Sequence, residues 1–183
     1  MKIALIGAGN LATNLGRALV EAGHVVCQVY SRTQASADAL ALKLESRGVS
    51  DLAEVVTDAQ LYIVALKDSA LAEVLPILIK GREYALWVHT AGSVPISIWA
   101  EYGLKHYGVL YPMQTFSKAR EVDFSDIPFF LEASGKMEMD ILKSVATSMS
   151  RNVHEANSEQ RRYLHLSAVF ACNFANAMYT ASA

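Results

Sequence analysis

Lys2-Ile3-Ala4-Leu5-Ile6 runs without a break into Gly7-Ala8-Gly9-Asn10-Leu11-Ala12, and no other stretch of the chain restricts its fold so closely. A short apolar strand, a glycine turn and a helix start follow in the order of the β-turn-α unit that cradles a dinucleotide. Gly7 permits the tight turn. Gly9 lets main chain approach a pyrophosphate with no Cβ in the way, and Ala12 keeps the helix close to the strand. The helix N-terminus adds free N–H groups and a partial positive charge for phosphates. The same glycines can also form a turn that binds nothing, but the strand before them and the helix after them favour the nucleotide. Gly7, Gly9, Asn10, Leu11 and Ala12 are therefore the expected pyrophosphate site.

Strand and helix patterns alternate beyond this unit, as in a parallel sheet with helices on both faces. Leu11, Leu15, Ala18, Leu19 and Ala22 form a helical stripe, Val25–Tyr30 reads as a strand, and Ala37, Leu40, Ala41 and Leu44 mark a helix ending near Gly48. A short connection around Val49 and Leu52 leads to Leu61–Leu66, apolar on both faces and so a buried central strand. Leu71, Val74, Leu75 and Leu78 mark the next helix, which Pro76 would shorten or kink. Further strands are read at Tyr84–Val88, Val109–Tyr111, Phe129–Leu131 and Asn152–His154, with a helix over Met139–Met149.

The expected fold is α/β: a doubly wound, mostly parallel Rossmann-like sheet over residues 1–156, followed by a C-terminal helical segment over 157–183. That last segment carries no charge from Tyr163 onward and is apolar all round, so a second subunit or further helices should cover it. It reads as the start of a helical domain, either shortened or cut off.

Composition narrows the partners. Hydrophobic residues make up 52% of 183 and charged ones 19%, enough for a filled core. A net charge of −2 without a basic run argues against nucleic acid, while leaving room for a local basic pocket. Cys27 and Cys172 read as reduced thiols packed in a core, with a catalytic Cys172 as the alternative. No signal peptide and no stretch of ~18 apolar residues is found, so a cytoplasmic protein with no membrane partner is expected. The five histidines are scattered and no metal-ligand spacing occurs, so no metal site is expected.

The second strand ends at Tyr30 and is followed by Ser31-Arg32-Thr33, with no carboxylate to hold ribose hydroxyls. An acid there would repel a 2′-phosphate, whereas two hydroxyls and a guanidinium bind one, which favours NADP over NAD. An ordinary polar loop capping the next helix is the alternative. Ligands in such sheets gather at the carboxyl ends of the strands. Leu66-Lys67-Asp68-Ser69 is expected near the nicotinamide ribose, with Leu66, Lys67 and Thr90 on the cofactor side. His89 is the natural proton donor by its ordinary pKa, unless it only braces its loop. Gln114 and Thr115 either orient a substrate carbonyl or brace their own loop. On the last helix His165, Val169, Cys172, Asn173 and Asn176 share a face, where His165 and Asn173 either line a site or set register between packed helices.

The glycine turn, Ser31-Arg32-Thr33, His89-Thr90-Ala91-Gly92-Ser93, Pro112-Met113-Gln114-Thr115-Phe116 and Tyr163-Leu164-His165 with Asn173 together resemble one family. Its members join a Rossmann-like domain to a helical domain of unknown function, and are similar to pyrroline-5-carboxylate reductase and the deazaflavin-dependent NADP oxidoreductases. The resemblance implies an NADP-type cofactor and dimerisation through the C-terminal helices. Two departures stand out: Tyr111 replaces a histidine frequent in the family, and the helical part is short. Related hydroxyacid dehydrogenases carry a catalytic lysine on the corresponding helix, but the last lysine here is Lys143. The expected function is NADP(H)-dependent reduction of a small imine or carbonyl substrate by a homodimer. A dinucleotide-binding sensor without turnover is the alternative.

Overall fold

The computed structural model describes residues 1–174, 177, 178 and 180. Eight strands form one sheet: β1 (Lys2–Ile6), β2 (Val25–Tyr30), β3 (Arg47–Val49), β4 (Leu61–Val64), β5 (Leu86–His89), β6 (Tyr107–Pro112), β7 (Phe129–Ala133) and β8 (Val153–Glu155). Their order is β3-β2-β1-β4-β5-β6-β7-β8. Neighbours are parallel except β6 and β7, which run antiparallel. The helices are α1 (Asn10–Glu21), α2 (Gln34–Lys43), α3 (Asp68–Ile79), α4 (Lys136–Thr147) and α5 (Ser158–Ala168). The order reverses at β1, so the crevice between the ends of β1 and β4 is the place where such sheets take ligands.

Side-chain alternation divides the core. Ile3, Leu5, Ile63, Val88, Leu110 and Leu131 pack with Leu15 and Leu19 of α1 and with Leu142 and Val145 of α4. Ala4, Ile6, Tyr62, Val64 and Trp87 pack instead with Leu71, Leu75 and Leu78 of α3. The Tyr62 ring stacks on Trp87 with centroids 4.3 Å apart and planes 11° from parallel. β4 and β5 are buried along their whole length, the condition expected of interior parallel strands. A smaller cluster of Val109, Tyr111, Phe130 and Ala156 receives Leu164 from α5.

Three expectations change, and one element appears that the sequence did not suggest. Helix α2 ends at Lys43 rather than near Gly48, and Glu45 at φ 51° turns the chain into the edge strand β3. There a β-carbon on Gly48 would lie 2.8 Å from the Asp38 main-chain nitrogen, so the close helix–strand approach requires glycine. Helix α3 continues through Pro76 to Ile79 without being shortened. Residues Ile96–Tyr102 form a 3-10 helix that carries Trp99 into the core, where its Nε1 donates to the Gly108 carbonyl at 2.9 Å. After α5, the turn Val169–Phe174 is a π-helix, which breaks the constant helical spacing assumed for that face. Among the described residues no helix is long and apolar enough to cross a membrane.

Candidate functional site

The first β-turn-α unit builds one wall of a cavity of about 400 Å³. Gly7 follows β1 at φ +128°, and its N–H donates to the Tyr30 carbonyl at 2.8 Å. A β-carbon on Gly7 would stand 2.4 Å from the Ala65 carbonyl oxygen, so both the backbone angle and the packing demand glycine. Gly9 is the N-cap of α1, and a β-carbon on it would meet nothing within 4 Å. That empty space faces a helix start capped by no side chain, which fits a pyrophosphate resting on bare main chain.

The other walls come from the loops after β2 and β4 and the helix starts that follow them: Ser31, Arg32 and Ser36 from one, Ala65, Leu66, Lys67 and Ser69 from the other. Two cations and three serine hydroxyls line the cavity with Tyr30, and no carboxylate does, a donor set suited to a phosphorylated nucleotide. Gly7, Gly9, Ser31, Arg32, Leu66 and Lys67 are thus brought together as read from the sequence. Ser36 escaped that reading, although its place three residues after Thr33 at a helix start was a usable signal. The hydroxyl of Thr33 stays outside the wall and donates to Ser36 Oγ at 2.8 Å, so it positions that residue instead.

Other expected nucleotide residues do not line the cavity. Ala12 is fully buried beneath the turn, and Leu11 packs against the core. The side chain of Asn10 accepts the Lys118 N–H at 3.3 Å. Leu11 and Ala12 can offer only main-chain groups, while Asn10 keeps its side-chain amide N–H groups. Thr90 is buried, with its N–H and hydroxyl on the Val64 carbonyl at 3.2 and 3.4 Å.

A second cavity, about 370 Å³, lies between the loop after β6 and the last helix. It collects Tyr111, Met113, Gln114 and Thr115 with His165, Ala168, Val169 and Cys172. The Tyr111 hydroxyl and His165 Nδ1 are hydrogen-bonded at 3.0 Å, ring edge to ring face. Burial pushes the Tyr111 phenol above its ordinary pKa, and the Arg161 charge pulls it partly back. Gln114 Oε1 accepts the Thr115 N–H at 2.8 Å, so the amide does brace its loop. Cys172 is exposed at this wall rather than packed in a core, and Cys27 is half-buried with its thiol on the Ile3 carbonyl. The side chain of Asn173, and all of Asn176, lie outside the described residues.

His89 is not at either cavity. It ends β5 rather than opening a loop, is 1% exposed, and stacks on Trp99. Its Nδ1 accepts the Ala91 N–H at 3.2 Å. Burial first, and the Arg161 charge second, lower its pKa to about 3, so the imidazole is neutral near neutral pH and no imidazolium is available as an acid. The expectation of a proton donor at His89 is corrected on those grounds.

Arg161 is the buried charge that the sequence did not disclose. It is fully enclosed, pairs with Glu132 of β7 through Nη1, and donates from Nη2 to the Val94 carbonyl at 2.6 Å and to Ser158 Oγ at 3.3 Å. Ser158 in turn donates to Glu132 at 2.8 Å and accepts the Ile96 N–H at 2.9 Å. This network fixes the first turn of α5 to β7 and to the loop after β5, one helical turn before His165. In the sequence Arg161-Arg162 looks like a solvated pair, and only its spacing of four from His165 hints otherwise.

Residues 2–86 match the family model described as NADP oxidoreductase, coenzyme F420-dependent, and residues 127–183 match a domain of unknown function, DUF2520. No curated protein matches the chain. Among solved structures it is similar to one described as a "putative NADP oxidoreductase" from Bacteroides fragilis: 58% identity, TM-score 0.95, over 100% of this chain and 70% of that one. A Thermotoga maritima protein is 23% identical with TM-score 0.77, over 98% of this chain and 67% of its own. An imine reductase from Myxococcus stipitatus in complex with NADP+ is 17% identical with TM-score 0.76, over 98% of this chain and 63% of its own. The last two share the fold. Cavity, glycine turn and 58% identity to the Bacteroides protein agree: the chain belongs to the NADP oxidoreductase family, in the branch that continues into DUF2520.

Proposed function

We propose that the protein is an NADP(H)-dependent oxidoreductase that moves a hydride between nicotinamide and a small imine or carbonyl compound. The observation that carries this reading is the carboxylate-free cavity walled by Gly7, Gly9, Ser31, Arg32 and Ser36. The main-chain N–H groups at the start of α1 would hold the pyrophosphate, and Arg32 with Ser31 and Ser36 the 2′-phosphate. The names of the Bacteroides and Myxococcus relatives support the same chemistry.

When bound, the nicotinamide supplies the hydride; the chain has to position the substrate, exclude water and hold a proton. The cavity at the end of β6 suits the substrate. Gln114 uses its Oε1 on its own loop, which leaves the amide N–H groups to orient a carbonyl oxygen or imine nitrogen. The hydrogen-bonded Tyr111 hydroxyl and His165 imidazole stand on that wall, where they would supply the proton that the reduced oxygen or nitrogen must receive. Tyr163, Leu166 and Phe170 are exposed along α5 and the turn after it, which supports self-association through this segment.

Arg32→Ala tests the reading. It should weaken NADPH binding by about tenfold or more and NADH binding far less, since only the former loses a charge-assisted contact. Fluorescence titration of both coenzymes measures this, and an equal loss for both would refute the 2′-phosphate assignment.

A further inference from the structure

We propose that Lys118, on the loop after β6, is a second cation for the nucleotide's 2′-phosphate and helps set coenzyme preference. This rests on the NADP reading above and assigns part of that site to a loop far away in sequence. Instead of passing straight from β6 to β7, the loop crosses onto α1 and is pinned there. The Lys118 N–H donates to Asn10 Oδ1 at 3.3 Å, Asn14 Nδ2 to the Ser117 carbonyl at 3.0 Å, and Arg17 Nη2 to the Val122 carbonyl at 3.1 Å. Asn14 is buried, and the same Nδ2 also donates to the Asn10 carbonyl at 3.0 Å. The loop is therefore built into the start of α1 and is not merely laid over it.

From that anchor the Lys118 side chain lines a cavity of about 220 Å³ together with Thr13, Ser36 and Lys43. Ser36 is a wall of this cavity and of the nucleotide cavity beside Ser31 and Arg32. Lys118 and Arg32 thus border two cavities that share Ser36 as a common wall. No carboxylate lines either cavity, and among the described residues neither Arg32 nor Lys118 forms an ion pair.

A phosphate monoester near neutral pH carries about −1.5 to −2 charges, so one guanidinium leaves it incompletely compensated. A lysine on a flexible stem is suited to supply the remainder, because a point charge needs no fixed fork geometry. NAD has no group at that position, so the contribution falls on NADP alone.

Isothermal titration of the full chain with NADP+ and with NAD+ tests this, using wild type, Lys118→Met, Lys118→Arg and Arg32→Ala. Lys118→Met should weaken NADP+ by about tenfold at low salt and leave NAD+ within about twofold. The NADP+ deficit should shrink as ionic strength rises, and Lys118→Arg should restore most of the affinity. If Lys118→Met left NADP+ binding unchanged while Arg32→Ala weakened it, this inference would fall and the NADP reading would stand. Equal weakening of both coenzymes would also overturn it, since the loop would then act only by bracing α1. If wild type bound no NADP+ at all, the NADP reading itself would fall.

Discussion

Gly92 and His165 approach so closely that a β-carbon on Gly92 would lie 2.7 Å from Cγ and Nδ1 of the imidazole. The same Nδ1 bonds the Tyr111 hydroxyl at 3.0 Å, so the loop after β5, the end of β6 and α5 meet at one ring. Gly92→Ala must push the ring or the loop aside. The variant should fold with a loss of roughly 1–3 kcal/mol, as overpacked sites do. In the ¹H–¹⁵N spectrum of the imidazoles, the His165 signals should move. An alanine variant with wild-type stability and unshifted His165 resonances would show that the contact imposes nothing.

Gly7 and Gly9 separate what the turn needs for folding from what it needs for a ligand. Gly7→Ala meets a backbone oxygen at 2.4 Å and a positive φ, and should cost roughly 2–4 kcal/mol in urea denaturation. Gly9→Ala meets nothing and should stay within about 1 kcal/mol of wild type. Its methyl group would nevertheless occupy the space assigned to the pyrophosphate, so dinucleotide affinity should fall by about tenfold or more. Unchanged affinity in a stable Gly9→Ala protein would remove the pyrophosphate from that turn.

The buried Arg161–Glu132 pair is a positioning device whose two halves depend on each other. Arg161→Met leaves the Glu132 carboxylate without its guanidinium and α5 without its tie to Val94, and should cost about 3–5 kcal/mol. Adding Glu132→Leu should recover much of that loss, because the stranded charge is then gone. Chemical denaturation of the two variants checks this. A double variant no more stable than the single one would mean that the main-chain bonds, not the charge pair, carry the stability.

Elements with an unbroken apolar period were legible in the sequence. β1, α1, β2 and β4 lie where alternation or a helical stripe puts them, because the same buried faces that make the pattern also make the fold. β3 was not legible, since three residues at a sheet edge, one of them Gly48, carry no period of their own. His89 was misjudged by one residue of strand length, and in a strand one residue decides which face a side chain takes. Ser36, Tyr111, Lys118 and Arg161 become meaningful only through partners far off in the chain: Ser36 beside Arg32, Tyr111 on His165, Lys118 over α1, Arg161 on Glu132. Local spacing holds no record of such meetings. The local run Ser31-Arg32-Thr33 did show that no carboxylate follows β2, and Arg32 of that run lies on the cavity wall.

His89 sets a pH dependence with a definite sign. Its pKa is about 3 in the folded chain against 6.5 when free, so between these values the unfolded chain binds the extra proton. Stability is therefore fully present above about pH 6.5 and is lost as pH falls toward 3. At pH 5 the loss from this one group should be about 2 kcal/mol relative to pH 8. Carboxylates such as Glu138, held below its usual range chiefly by the His106 hydrogen bond, titrate in the same acid region in any variant. The informative quantity is thus the difference between wild type and His89→Gln. Urea unfolding from pH 8 to pH 5 should show wild type losing about 2 kcal/mol more than the variant. Parallel curves would mean that the imidazole takes up a proton within the folded protein, and the stacking on Trp99 would then have to accommodate a cation.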